Sequence, residues 1–143
     1  MNNRSETEHS LSQRINIADG VKWENIFGYS RAVRVGNTIE VSGTTAVAEN
    51  GEIVGENDPY RQAQFILEKI STALNKAGSS MKDVVRTRLY VTDASFADQI
   101  GRAHLECFAD IRPASTLVEI SALIAPGLVV EIEATAIVSK TDQ

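Results

Sequence analysis

Cysteine, long apolar runs and basic residues are all scarce in this 143-residue chain, and each shortage excludes a class of protein. Cys107 is the only cysteine, so no disulfide can form within the chain, and no Cys/His cluster has the spacing of metal ligands. No stretch approaches the roughly 18 apolar residues that a membrane-spanning helix needs, and the residues after Met1 lack the apolar core of a signal peptide. We therefore expect a cytoplasmic protein in a reducing setting, with no membrane span and no metal site.

Acidic residues outnumber basic ones. The 14 Lys and Arg against 19 Asp and Glu give a net charge of -5 and a pI near 5.0. Binding to a nucleic-acid backbone depends on clustered Lys and Arg that release counterions, so we do not expect nucleic acid to be a partner. Gly51 and Gly55 belong to a turn and do not form a GxGxxG or Walker pattern, so no nucleotide cofactor is implied. We expect no cofactor at all.

The length and apolar content are those of one ordinary domain. The chain has a mass of 15.5 kDa and 43% hydrophobic residues, which is enough to fill one core. Residues 1–12 are polar and show no periodicity, so we expect a flexible N-terminal tail that includes His9. A single domain should occupy residues 13–143.

The first half of this domain carries a hairpin signal and a helix signal. Two alternating segments, 32–35 and 38–42, flank Gly36-Asn37, a pair that tolerates the positive φ of a two-residue β-hairpin turn. Asp58 followed by Pro59 marks a helix start, and Gly78 marks its end. Between them the spacing predicts a five-turn amphipathic helix with an apolar stripe of Ala63, Ile66, Leu67, Ile70, Ala73, Leu74 and Ala77.

The second half predicts a strand, a helix and two more strands. Apolar and polar residues alternate from Val85 to Thr92, as in a strand with one buried face. A helix follows, with Ser95 as its predicted N-cap and a buried stripe of Phe96, Ile100, Ala103 and Cys107. The core-facing residues of the last strand are predicted to be Leu128, Val130, Ile132, Ala134 and Ala136.

The other face of the last strand mixes acids with apolar residues, among them Glu131 and Glu133. Two helices can cover only one face of a five- or six-stranded sheet, so something else should cover this one. Unpaired buried charges are costly, and a neighbouring copy of the chain could pair them with Arg86 and Arg88. We therefore expect an α/β (α+β) fold that assembles as a homo-oligomer.

Several segments carry a family pattern. Pro113–Ile120 reads Pro-Ala-Ser-Thr-Leu-Val-Glu-Ile, and Val130–Ala134 reads Val-Glu-Ile-Glu-Ala. With Phe27–Ser30, Val41–Gly43 and Asp83–Thr87 in the same order, they resemble the RidA/YjgF family of small trimeric enamine/imine deaminases. The resemblance covers nearly all of residues 26–138. It implies a chorismate-mutase-like single domain, with a mixed sheet and two helices on one face, whose homotrimer forms a central barrel with ligand clefts between subunits.

The resemblance also implies site residues. Glu131 matches the family carboxylate that orients or polarises the attacking water, and Tyr29 and Gly43 match residues that line the cleft. In active members an arginine after Pro-Ala grips the substrate carboxylate, but here that residue is Ser115, followed by Thr116. Each charge-assisted hydrogen bond is worth about 1.5–3 kcal/mol, so losing the arginine argues against plain 2-aminoacrylate as the substrate.

Two interpretations of the missing arginine stay open. Arg102, which matches a cleft asparagine of the second helix, or Arg112 relocates the positive charge and keeps an anionic substrate. Alternatively, Ser115 and Thr116 line a pocket for a neutral enamine, imine or related small carbonyl compound.

Three functions follow from the resemblance. The first is hydrolysis of a reactive enamine or imine intermediate by protein groups and water alone, with altered substrate specificity. The second is non-catalytic binding of a small metabolite, with a regulatory role, in the same cleft. The third is endoribonuclease activity, a label attached to the family, which the acidic charge disfavours.

Overall fold

The computed structural model describes residues 13–139, so the predicted tail over 1–12, with His9, lies outside the described residues. Within that range the chain forms six strands and three α-helices. In chain order these are β1 (Arg14–Ile17), α1 (Lys22–Phe27), β2 (Ala32–Val35), β3 (Thr38–Thr44), α2 (Pro59–Lys76), β4 (Val84–Val91), α3 (Ala97–Phe108), β5 (Ala114–Glu119) and β6 (Val130–Ile137). Short 3-10 turns, Met81–Asp83 and Ala94–Phe96, precede β4 and α3.

The six strands form one mixed sheet in the order β1-β2-β3-β6-β4-β5. Neighbouring strands are antiparallel except β4 and β5, which run parallel and are connected through α3. The predicted hairpin is confirmed, with Gly36 at φ 60° in its turn. The last strand, β6, lies in the middle of the sheet, between β3 and β4.

The predicted long helix, α2, is confirmed with its capping signals. The Asp58 side chain accepts a hydrogen bond from the backbone N–H of Arg61, and Pro59 occupies the first turn, where its missing N–H does no harm. Gly78 adopts φ 82° just beyond the helix end. The apolar stripe is fully buried against the sheet and forms the core with the predicted inward face of β6.

The second predicted helix, α3, differs from the expectation at both ends. Ser95 is not its cap, because residues 94–96 form a 3-10 turn in which the Asp93 side chain accepts the Ser95 N–H. Cys107 is exposed, whereas Phe108 is buried, so assigning Cys107 to the core was wrong. The buried residues of the helix are Ile100, Ala103 and Phe108, and Cys107 lies one position away from this row.

The sheet face opposite the helices keeps charge and apolar surface side by side. Arg88 pairs with Glu133 across β4 and β6 at 3.9 Å, and Arg86 donates a 2.6 Å hydrogen bond to Thr116. These arginines therefore find partners within the chain. Val118 and Ile137 leave 42% and 49% of their surface exposed on the same strands.

Candidate functional site

Glu131 lies directly against the backbone of Gly43. The pairing of β3 with β6 is irregular between Val41 and Thr44, and Gly43 occupies this break. A Cβ atom added to Gly43 would lie 2.6 Å from Glu131 Oε2, closer than side chains tolerate. Glycine at position 43 therefore makes room for the Glu131 carboxylate, and the structure brings these two predicted site residues together.

Arg31 fixes the strand end on which Gly43 lies. Its side chain is buried, with 6% exposed, and Nη1 donates hydrogen bonds to the Gly43 carbonyl (2.7 Å) and to Thr44 Oγ1 (2.9 Å). Its guanidinium carbon lies 5.7 Å from the centre of the Tyr29 ring. Tyr29 is thus connected to Glu131 through Arg31 and Gly43, and 36% of the Tyr29 surface is exposed.

The electrostatic setting suits Glu131 to proton exchange. Burial raises the pKa of its carboxyl above the usual 4.5, Arg31 works in the opposite direction, and Glu133 adds a smaller upward effect. No cation within residues 13–139 comes within ion-pair distance of this carboxylate. A half-buried carboxylate without an ion-pair partner is available to bind and deprotonate a water molecule.

Glu133, two residues along the same strand, is held differently. The Tyr90 hydroxyl donates a 2.6 Å hydrogen bond to its Oε1, and Arg88 Nε lies 3.9 Å away. The same hydrogen bond raises the pKa of Tyr90, which keeps the hydroxyl protonated as a donor. Glu133 therefore serves the cross-strand packing of β4 and β6 within one chain.

Ser115 and Thr116 lie on opposite faces of β5, the strand at the edge of the sheet. Thr116 accepts its hydrogen bond from Arg86 and so shares the face that carries Glu131. The Ser115 hydroxyl points to the helix-covered face, where Thr87 donates a 2.8 Å hydrogen bond to it. Because successive residues of a strand alternate between faces, one chain cannot present Ser115 and Glu131 to the same small ligand.

The two candidate replacement arginines occupy separate places. Arg102 lies over the Tyr60 ring at 4.2 Å, where it joins α3 to α2, and the Tyr60 hydroxyl bonds to Glu106. Arg112 adopts φ 55° in the turn before β5, and its Nε donates a 2.7 Å hydrogen bond to the carbonyl of Ala109. Their role in ligand binding stays a prediction.

A pocket of about 240 Å³ lies between α2 and the loop after β1, and Arg31 is one of the residues that line it. Three charged side chains meet in it: Asp19 Oδ2 lies 3.6 Å from Arg31 Nε and 3.5 Å from Lys69 Nζ. At these distances Asp19 Oδ2 and Arg31 Nε have no hydrogen-bond partner within residues 13–139. Burial lowers the pKa of Lys69, and the nearby Asp19 opposes this shift. We do not include this pocket in the candidate site, because neither Glu131 nor Ser115 lines it.

The sequence analysis did not identify Arg31 and Thr87 as partners of the predicted site residues. Arg31 immediately precedes a strand, and nothing in the hydrophobic pattern marks a buried guanidinium there. Thr87 sits on the apolar face of its strand, which is the one local sign that its hydroxyl has a partner.

Among residues 13–139 no group of three or more His, Cys, Asp or Glu side chains could hold a metal ion. No helix in that range is long and apolar enough to cross a membrane.

The protein is a small α+β domain with a chorismate-mutase-like fold. The chain belongs to the endoribonuclease L-PSP family, which is also the family of the YjgF and Rid proteins: the family model matches residues 21–138. The predicted single-domain fold and the predicted family are confirmed, and the homotrimer stays a prediction.

Relatives of different kinds share this family. The structure of Rv2704 from Mycobacterium tuberculosis is 44% identical, has a TM-score of 0.81, and covers 88% of this chain and 100% of its own. The 3-aminoacrylate deaminase RutC from Acinetobacter baylyi is 32% identical over 108 residues, which are 76% of this chain and 85% of RutC. E. coli TdcF, solved with bound serine, is 27% identical with a TM-score of 0.71, and the match covers 78% of this chain and 88% of TdcF.

Proposed function

We propose that this protein hydrolyses a small enamine or imine to a carbonyl compound and ammonia. The observation that carries the proposal is the half-buried Glu131 carboxylate, without an ion-pair partner among the described residues and seated on Gly43. The relationship to RutC, a 3-aminoacrylate deaminase, supports the same reaction class. No step of this reaction requires a redox change or a cofactor.

The chemistry asked of Glu131 is modest. The carboxylate holds a water molecule and takes its proton as the water oxygen attacks the imine carbon. General-base assistance of this kind contributes about a hundredfold to ten-thousandfold in rate. We expect Tyr29, which contacts Arg31 on its other side, to line the same cleft.

The complete site requires a second copy of the chain. Ser115 and Glu131 lie on opposite sheet faces, so the ligand must meet Glu131 of one copy and the β5 edge of another. The exposed Val118 and Ile137 on the Glu131 face supply apolar surface for such a contact. We propose a homotrimer with the clefts between its subunits, in which Gly43 and Glu131 meet Ser115 of the neighbour.

The side chain at position 115 decides whether the cleft can bind a substrate carboxylate, and here it is Ser115. A serine cannot form the two-point grip that an arginine gives a carboxylate. Arg102 and Arg112 are engaged with Tyr60 and with the Ala109 carbonyl. We therefore propose a substrate that is neutral near Ser115, and we rank a carboxylate clamp by Arg102 or Arg112 second.

The test uses imines produced in place by an amino-acid oxidase or an amine oxidase, which supply carboxylate-bearing and neutral substrates respectively. Purified protein should speed release of ammonia and the carbonyl product, and more so for the neutral imine. If release matches the protein-free rate for both classes, the hydrolase proposal is wrong. The serine bound in TdcF favours a second candidate in that case, a metabolite-binding protein, which titration calorimetry with small amino acids would reveal.

A further inference from the structure

Hydrogen bonds connect three side chains in series: Ser115, Thr87 and His104. Thr87 Oγ1 lies 2.8 Å from Ser115 Oγ and 2.9 Å from His104 Nε2, so one buried hydroxyl connects the two. Thr87 has no exposed surface, whereas Ser115 is exposed on the edge strand. Ser115, at one end of this hydrogen-bonded series, is thus open to a ligand, and the titratable imidazole of His104 is at the other end.

The surroundings of His104 contain little charge. The ring packs on Phe108 at 4.6 Å between centroids, and burial alone lowers its pKa. On its own helix the nearest charged residues, Arg102 and Glu106, turn to Tyr60 of α2, and on β4 Arg86 and Arg88 point to the opposite sheet face. No carboxylate within residues 13–139 forms an ion pair with the imidazole.

We propose that Ser115, Thr87 and His104 form a proton relay that serves the nitrogen of the substrate in the cleft. A hydroxyl both donates and accepts hydrogen bonds, and imidazole Nε2 donates or accepts according to its protonation state. A proton can therefore pass along Ser115, Thr87 and His104 in both directions. This inference rests on the proposed imine hydrolysis. It gives Ser115 a chemical task in the place where the family arginine binds a carboxylate.

The protons balance over the two halves of the reaction. In the addition, water bonds to the imine carbon and gives a proton to Glu131. The imine nitrogen takes one from Ser115, which is replaced through Thr87 by the Nε2 proton of the imidazolium. In the collapse, Glu131 returns its proton to the nitrogen and the C–N bond breaks. The carbinolamine hydroxyl loses its proton through Ser115 and Thr87 to His104, and ammonia and the carbonyl compound leave.

A purely structural His104 would make the same contacts, so the test must separate contact from proton exchange. Glutamine at position 104 keeps an N–H that can bond to Thr87 but cannot exchange a proton near neutral pH. Serine at position 87 keeps the hydroxyl, whereas valine has the same shape without it. The pairs His104→Gln against wild type and Thr87→Val against Thr87→Ser are therefore matched.

The measurement is kcat/KM for a neutral imine as a function of pH, with circular dichroism and light scattering to check each variant. We expect wild-type activity to fall as the pH rises past the pKa of His104, which lies below 6.5. His104→Gln and Thr87→Val should each lose about a hundredfold in rate at the optimum, and His104→Gln should lose this alkaline limb. Thr87→Ser should stay within a few-fold of wild type.

Each outcome has one meaning. If wild type hydrolyses imines and His104→Gln keeps its rate and its alkaline limb, the relay is wrong and the proposed function stands. If wild type hydrolyses none, both fall together. Should Thr87→Val fail to fold, the His104→Gln profile alone decides.

Discussion

Replacing Gly43 by alanine perturbs the candidate site with a single methyl group. The new Cβ would lie 2.6 Å from Glu131 Oε2, whereas ordinary contacts begin near 3.4 Å, so the carboxylate oxygen must retreat by about 0.8 Å. Gly43 does not have a positive φ, so the backbone accepts alanine without strain. The group that must move is the end of a flexible side chain.

The expected effect is large on rate and small on stability. A misplacement of about 1 Å in a catalytic group can cost roughly a hundredfold in rate, and we expect a loss of this order in kcat/KM for imine hydrolysis. Rotation of the Glu131 side chain relieves the contact, so the free energy of unfolding should change by less than about 1 kcal/mol. In a domain of this size that corresponds to a shift in Tm of no more than roughly 4 °C.

The control is Gly101→Ala. A Cβ at Gly101, inside α3, meets no atom within 4 Å, and alanine is favoured over glycine in a helix by about 1 kcal/mol. This variant should be as active as wild type and slightly more stable. If Gly43→Ala keeps the wild-type rate, the position of the Glu131 carboxylate does not matter and the site is misassigned.

Three other predictions concern stability, substrate choice and assembly. Burial raises the pKa of Glu131 in the folded state, so its negative charge costs stability above the usual pKa of 4.5. Glu131→Gln should therefore have a higher Tm than wild type at pH 7, and the difference in Tm should vanish below pH 4.5. In steady-state assays, Ser115→Arg should raise the rate on carboxylate-bearing imines relative to neutral ones. If Ser115→Arg instead lowers that rate and Arg102→Ala loses activity, Arg102 is the residue that binds the carboxylate. Light scattering at micromolar concentration should give a trimer, and a stable monomer of 15.5 kDa would contradict the shared cleft.

Local patterns predicted the frame of the molecule well. Helix α2 has its cap, its stripe and its terminating glycine within one continuous segment, and the hairpin has its turn pair between two short strands, so neither needs distant information. Helix α1 was not predicted, because its six residues have no side-chain cap and little periodicity. Cys107 was misplaced because a small error in helical phase is enough to move a residue between core and solvent.

The geometry of the candidate site could not be predicted from the sequence. Glu131 and Gly43 are distant in sequence and meet only because β6 pairs with β3 in the middle of the sheet. Ser115 meets Thr87 because β5 runs parallel to β4, and that register cannot be derived from either strand alone. The buried Arg31 was missed because burial of a charge depends on partners that the folded chain brings to it.

Side-by-side assays of wild type, Glu131→Gln and Glu133→Gln on a neutral imine show whether Glu131 activates the attacking water. Both variants replace one acid by its amide on β6, but only Glu131 is proposed to handle the attacking water, whereas Glu133 is bonded to Tyr90. We predict that wild type and Glu133→Gln release ammonia well above the protein-free rate and that Glu131→Gln is at least a hundredfold slower than wild type. Equal rates for wild type and Glu131→Gln would show that Glu131 is not the general base.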